Sequence, residues 1–187
     1  MANYDETYEN IHFGTNQLRD ASFDGCSFVN CSFENSKLDH CEFIDCHFSD
    51  CNFTASTTVQ TGFKDVKFKN CKLVGLDFSA CNDFLFQVQF ENCRMDYALY
   101  TGKKLKKTNF KNCSLKQVDF TQTDLTEAVF DECDLTDAQF ESCLLNKADF
   151  RLAFNFTIDP SQNSLKKTRF ATNRLAGLLR NYDLIIE

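Results

Sequence analysis

Residues 21–53 read ASFDG CSFVN CSFEN SKLDH CEFID CHFSD CNF. Every fifth residue is Phe or Leu: Phe23, Phe28, Phe33, Leu38, Phe43, Phe48 and Phe53. Two places before each stands a small residue: Ala21, Cys26, Cys31, Ser36, Cys41, Cys46 or Cys51. A period of five is neither the 3.6 of an amphipathic helix nor the 2 of an alternating strand. A strict short period marks a solenoid, in which each repeat buries its apolar face against the next.

The phase extends in both directions. Large residues continue at Phe63, Phe68, Leu73 and Phe78, then resume from Phe90 through Phe110, Phe120, Phe130 and Phe140 to Phe150. From Phe13 to Phe78 and from Phe90 to Phe150, 26 of the 27 fifth positions are apolar or aromatic, with Thr58 the exception. A composition of 43% hydrophobic residues would fill fewer than half at random.

Ala148-Asp149-Phe150 and Thr123-Asp124-Leu125 come nearest to the unit A-(D/N)-L-x-x, and over residues 11–150 the sequence resembles the pentapeptide-repeat family. The resemblance implies an all-β fold, a right-handed quadrilateral parallel β-helix with four repeats per coil and about seven coils. Residues 20 apart then stack. Phe23, Phe43 and Phe63 form one expected column, Phe28, Phe48 and Phe68 a second, and Phe90, Phe110, Phe130 and Phe150 a third. Burying one large side chain contributes about 1.5–3 kcal/mol, whereas ordering each of five residues costs about 1–2 kcal/mol. The central columns alone do not suffice, so the small inward residues and the backbone ladder must contribute. A polar substitution at Phe43 or Phe130 is expected to unfold the region.

The expected organisation is an N-terminal cap over residues 1–10, with Tyr4 or Tyr8 covering the first coil. The β-helix follows over 11–154. Irregularities are expected near 54–62, where Thr58 loosens a corner; near 81–88, where two extra residues crowd Phe84, Leu85 and Phe86; and near 101–107, where Lys103 takes a small inward slot. Residues 155–187 read as a C-terminal cap containing the only proline, Pro160. A short helix is expected over about 173–182, with Asn173 as N-cap and Leu175, Leu178, Leu179 and Tyr182 on one face. The tail with Leu184 and Ile186 reads as a short strand.

All eleven cysteines occupy the small inward phase, where a thiol serves as a small hydrophobe. No C-x-x-C occurs, and His12, His40 and His47 fall on outward phases, so neither a metal nor another cofactor is expected. Asn30, Asn52, Asn112 and Asn155 begin glycosylation-like triplets that the repeat itself generates. The N-terminus is polar and acidic, and there is no apolar run of membrane-spanning length. A cytoplasmic location is the expectation.

Charge is banded along the chain. Residues 1–60 carry net −8, 61–116 carry +6, 117–150 carry −8 and 151–187 carry +3, matching the overall −7. The resemblance narrows to the quinolone-resistance and microcin-immunity members, which implies a DNA-mimicking binder or protector of DNA gyrase or topoisomerase IV. Asp131, Glu132, Asp134, Asp137 and Glu141 are the candidate acidic partner surface. The same resemblance implies a homodimer through Leu175, Leu178, Leu179, Tyr182, Leu184 and Ile186. Two features depart from that pattern: the basic run Lys103, Lys104, Lys106, Lys107 and Lys111, and the lack of long insertion loops. No nucleophile–His–acid set, glycine-rich phosphate loop or H-E-x-x-H is present, so catalysis is not expected. Direct nucleic-acid binding through the basic run lacks stacking aromatics and opposes the net charge. A generic scaffold for another protein is the alternative reading.

Overall fold

The computed structural model describes residues 2–182 and residue 184. Within them the chain winds as a four-walled parallel β-helix. One sheet joins β1 (Ala2–Tyr4), β3 (Ser22–Asp24), β5 (Glu42–Ile44) and β7 (Gly62–Lys64). A longer sheet joins β2 (Thr7–Glu9), β4 (Ser27–Val29), β6 (His47–Ser49), β8 (Val66–Lys69), β9 (Val88–Glu91), β10 (Asn109–Lys111) and β11 (Val129–Asp131). These sheets lie on the first and second walls. The third wall is a ladder of single bridges running His12, Ser32, Asn52, Lys72, Arg94, Ser114, Asp134 and Phe154, and the fourth includes Asp77, Leu99, Asp119 and Gln139. No helix among the described residues is long and apolar enough to cross a membrane.

The five-residue period has a direct structural cause. Each central residue points inward, and the residue two places on turns the corner with positive φ, as at Asp50, Asn70, Asn92 and Asn112. Asn and Asp tolerate that left-handed geometry because their side chains bond locally. Here they also bond between rungs: Asn70 donates to Asp50 at 3.1 Å, Asn92 to Asn70 at 3.1 Å and Asn112 to Asn92 at 2.8 Å.

The small inward slot has its own chemistry. Cys51 Sγ donates to the Phe28 carbonyl at 3.4 Å and Cys133 Sγ to that of Phe110 at 3.3 Å. Ser36, Thr61 and Thr123 reach the corresponding carbonyls of Phe13, Leu38 and Tyr100. A thiol or hydroxyl therefore fills the slot and hydrogen-bonds a buried carbonyl of the previous coil. Burial pushes the thiols up, Cys46 and Cys81 to about 12 and Cys41 and Cys143 to about 11. All eleven cysteines are free and buried.

The aromatic columns run further than expected. Tyr8, Phe28, Phe48, Phe68, Phe90, Phe110, Phe130, Phe150 and Phe170 form one continuous stack of nine rings. Its eight spacings rise roughly 38 Å at about 4.8 Å each. The expected second and third columns are thus one, because Phe68 and Phe90 stack at 5.4 Å across the two-residue insertion. The insertion is absorbed within the first wall. Phe86 turns inward against Phe63 and Phe78, while Phe84 and Leu85 stand out at 65% and 66% exposure.

Four other expectations are corrected. Residues 2–10 are not a separate cap, since β1 and β2 pair in parallel with the next coil and Tyr8 ends the ring stack. The 54–62 region keeps its corners: Thr58 is buried and donates to the Asp77 carbonyl at 2.5 Å. The wall near Lys103 is also regular, with Lys104 bridging Asp124. Buried Lys103 donates to the Cys81 carbonyl and, at 2.6 Å, to Asp83, and lies 5.0 Å from the Phe86 ring. The coil also continues past 154. Phe156 and Ile158 are buried, Ser164 bridges Leu144, and Phe170 stacks on Phe150.

The C-terminal helix is 3-10, spanning Thr172–Leu178 and Arg180–Tyr182. Ala171, not Asn173, occupies the N-cap, with no side-chain cap bond. Gly177 is required there because a β-carbon would collide with the Phe156 carbonyl, and its own carbonyl accepts from Ile158 N at 3.0 Å. Of the expected tail strand, Asp183, Ile185, Ile186 and Glu187 lie outside the described residues.

Candidate protein-interaction surface

Winding converts bands of sequence into walls, and the charge distribution changes meaning. On three walls carboxylates meet cations across rungs. Lys64 pairs with Glu42 at 2.7 Å on the first wall, Lys111 with Glu91 at 3.1 Å on the second, and Lys116 with Asp134 at 3.2 Å on the third. The fourth wall differs. From the rung at 56–60 through those at 76–80, 98–102, 118–122, 138–142 and 158–162 it contains no Lys, Arg or His. It carries Asp77, Asp119, Glu141 and Asp159.

Local hydrogen bonds fix Asp77 and Asp119. Asp77 accepts from the Ser79 and Ala80 amides at 2.9 and 3.3 Å. Asp119 accepts from the Thr121 amide at 2.8 Å and the Thr101 hydroxyl at 2.9 Å. Partial burial of Asp119 favours its neutral form, but the bonds from Thr121 and Thr101 outweigh this and hold it below its ordinary value. Among the described residues Asp77, Asp119 and Glu141 join no ion pair, so this stretch of the wall presents their negative charge.

The five expected acidic residues do not share one surface. Asp131 and Glu132 end a segment of the second wall, Asp134 and Asp137 lie on the third, and Glu141 alone is on the fourth. Together they form a collar around one coil. Asp134 is also engaged, accepting from Thr136 Oγ1 at 2.6 Å and Asn155 at 3.0 Å beside Lys116. Reading along the chain missed Asp77, Asp119 and Asp159. Writing the sequence in rows of 20, with two residues skipped at the insertion, brings them into line.

At the C-terminal end, Leu178 packs on the core, while Leu175, Leu179, Tyr182 and Leu184 are 40%, 37%, 52% and 57% exposed. Leu152 and Phe154, on the last coils, are exposed as well. Among the described residues no group of His, Cys, Asp and Glu could hold a metal ion.

The model of the pentapeptide repeat region matches residues 41–120 and 98–178, and the model of pentapeptide repeats in 8 copies matches 17–54. The chain belongs to the pentapeptide-repeat family. No curated protein sequence matches it. Among solved pentapeptide-repeat structures, it is similar to HetL from the cyanobacterium Nostoc sp. strain PCC 7120, a protein involved in heterocyst differentiation regulation. That match has a TM-score of 0.58 and 14% identity, over 100% of this chain and 92% of HetL. Full-length QnrB1, a plasmid-mediated fluoroquinolone resistance protein, matches with TM-score 0.44 and 14% identity over 98% of this chain and 100% of QnrB1. At these identities the likeness is one of fold.

Proposed function

We propose that this pentapeptide-repeat chain is a non-catalytic interaction rod that presents its fourth wall to the DNA-binding surface of a bacterial type II topoisomerase, gyrase or topoisomerase IV. The supporting observation is the run of rungs from 56–60 to 158–162 on the fourth wall, which has no Lys, Arg or His of its own and where Asp77, Asp119 and Glu141 join no ion pair among the described residues, on a molecule whose other walls pair carboxylates across rungs. Asp77 to Asp159 spans four rung spacings, about 19 Å, and carries four acids, the first two about 10 Å apart along the axis because the rung at 98–102 has none, and the rest about 5 Å apart. One strand of duplex DNA carries a phosphate every 3.4 Å or so. The wall is thus a sparser line of charge than one phosphate strand, with the Asp131–Asp137 collar adding charge at one end. A second copy docking on Leu175, Leu179, Tyr182 and Leu184 would double the acidic length, making the acting species a homodimer in the cytoplasm.

A supercoiling assay tests the reading. Micromolar protein is expected to alter supercoiling by gyrase, or to relieve its inhibition by a quinolone. Glu141→Lys, on an exposed side chain, is expected to weaken that effect while leaving the fold intact. No effect on either type II enzyme would remove the topoisomerase assignment and leave a scaffold for a different basic protein.

A further inference from the structure

The second wall carries a surface of opposite character. Between β6 and β10 two rails of outward side chains enclose a shallow groove of ≈ 340 Å³. One rail runs His47, Lys67, Gln89 and Asn109, and the other Ser49, Lys69, Glu91 and Lys111. The register of the parallel strands sets these positions, and the rings of Phe48, Phe68 and Phe90 beneath point inward. Lys69 and Lys111 share one carboxylate, Glu91, at 3.7 and 3.1 Å. Exposed Lys67 joins no ion pair among the described residues. The groove therefore keeps a cationic surplus on a molecule of net charge −7.

We propose that this groove binds a short, extended, acidic segment of a partner protein. Length and charge select that occupant. The groove covers four rungs, three spacings or about 14 Å, the span of about four extended residues. Beyond β10 the same wall turns acidic at Asp131 and Glu132, and Asp50 flanks the other end. A long polyanion would meet these carboxylates, whereas a segment of four or five residues fits between them. The groove's aromatic rings are buried, so it offers no stacking platform for bases, which single-stranded nucleic acid requires. Its Lys and His donors, with the amides of Gln89 and Asn109, suit carboxylates. This wall is distinct from the acidic one, so either surface can act without the other.

The test is fluorescence anisotropy at low salt with the full chain and a dye-labelled, end-blocked Gly-Glu-Asp-Glu-Asp-Gly peptide. The matching Gln/Asn peptide and a dT oligonucleotide serve as competitors. Saturable binding is expected that neither competitor displaces. The double variant Lys67→Glu/Lys69→Glu is expected to weaken it about tenfold or more, and Lys166→Glu/Lys167→Glu, with the same change in net charge elsewhere, by less than about twofold. Circular dichroism establishes that both variants are folded. Absence of binding, equal loss in both variants, or displacement by dT would overturn the proposal.

Discussion

The coils before and after the insertion solve one packing problem with different residues. Up to Phe68, rings occupy three walls, in the columns Phe23–Phe43–Phe63, Phe28–Phe48–Phe68 and Phe13–Phe33–Phe53, with Leu18, Leu38 and Thr58 on the fourth; just ahead of the insertion, Leu73 replaces the third-wall ring and Phe78 brings the first ring to the fourth wall. After it, rings occupy two opposite walls, in Phe90–Phe110–Phe130–Phe150 and Tyr100–Phe120–Phe140. Leu105, Leu125 and Leu145 line the first wall there, and Met95, Leu115 and Leu135 the third. The ion pairs also divide: apart from Arg19–Asp20 and Lys64–Glu42, all include a residue from Lys69 onward. The backbone coil is indifferent to which wall carries the rings, provided each rung is filled. The early coils rely on aromatic contact, and the later ones add surface electrostatics to a more aliphatic core.

Four measurements probe that contrast. The largest effect is expected in the early coils. Phe48 meets five other rings, so Phe48→Ala should cost about 3–5 kcal/mol in urea denaturation, and Leu125→Ala about 2–3 kcal/mol. Equal costs would show that ring packing does not distinguish the halves. At the junction, Asp83→Ala leaves the buried Lys103 ammonium with only a carbonyl and a ring and should cost about 1–3 kcal/mol. Lys103→Met removes the charge itself and should cost less, because an apolar replacement leaves nothing charged to desolvate; a larger loss than for Asp83→Ala would contradict this.

Acid should act on the later coils. Hydrogen bonds and charge from Arg151 hold Asp149 below its ordinary value, as Lys147 does Glu127 and Lys111 does Glu91. A carboxylate depressed in the folded state stabilises the fold above its unfolded pKa, about 4, and that contribution vanishes as pH falls through the lower folded value. Hydrogen exchange should therefore show residues 91–150 losing protection before residues 22–68 below about pH 4. Simultaneous loss would mean the halves unfold as one unit. The smallest effect concerns Tyr100, whose hydroxyl is buried without a hydrogen-bond partner. Tyr100→Phe should stabilise by up to about 1 kcal/mol, and a loss of stability would reveal a role for the oxygen.

The coil was legible because its period is short and strict, and the inward phase of the cysteines was legible for the same reason. Polar residues on inward phases were misread. Thr58 and Lys103 look like defects to a rule that asks only for apolarity, yet both find a carbonyl that the ladder leaves accessible, and Lys103 also finds Asp83. The last coil was hidden because Phe156 fills the interior one place off phase and the next central position is exposed Pro160, although Ile158 takes the small inward slot and Leu165 and Phe170 keep the central one. The acidic wall was invisible in a charge count along the axis, since its members come from four separate turns. The apolar C-terminal spacing was legible, but not the 3-10 winding or the close approach of Gly177 to Phe156, which depends on a residue more than one coil away in sequence.

The clasp between Lys103 and Asp83 constrains the route by which this sequence could arise. An ancestor with an uninterrupted first wall would have placed a lysine at that inward position among carbonyls and rings, with no acid to receive it. Lengthening the preceding turn is harmless by comparison, since the columns on either side close around it. Shortening that turn while Lys103 stays would therefore strand its ammonium, whereas the turn can keep its length without the lysine. The dependence runs one way: the lysine needs the longer turn, and the turn does not need the lysine.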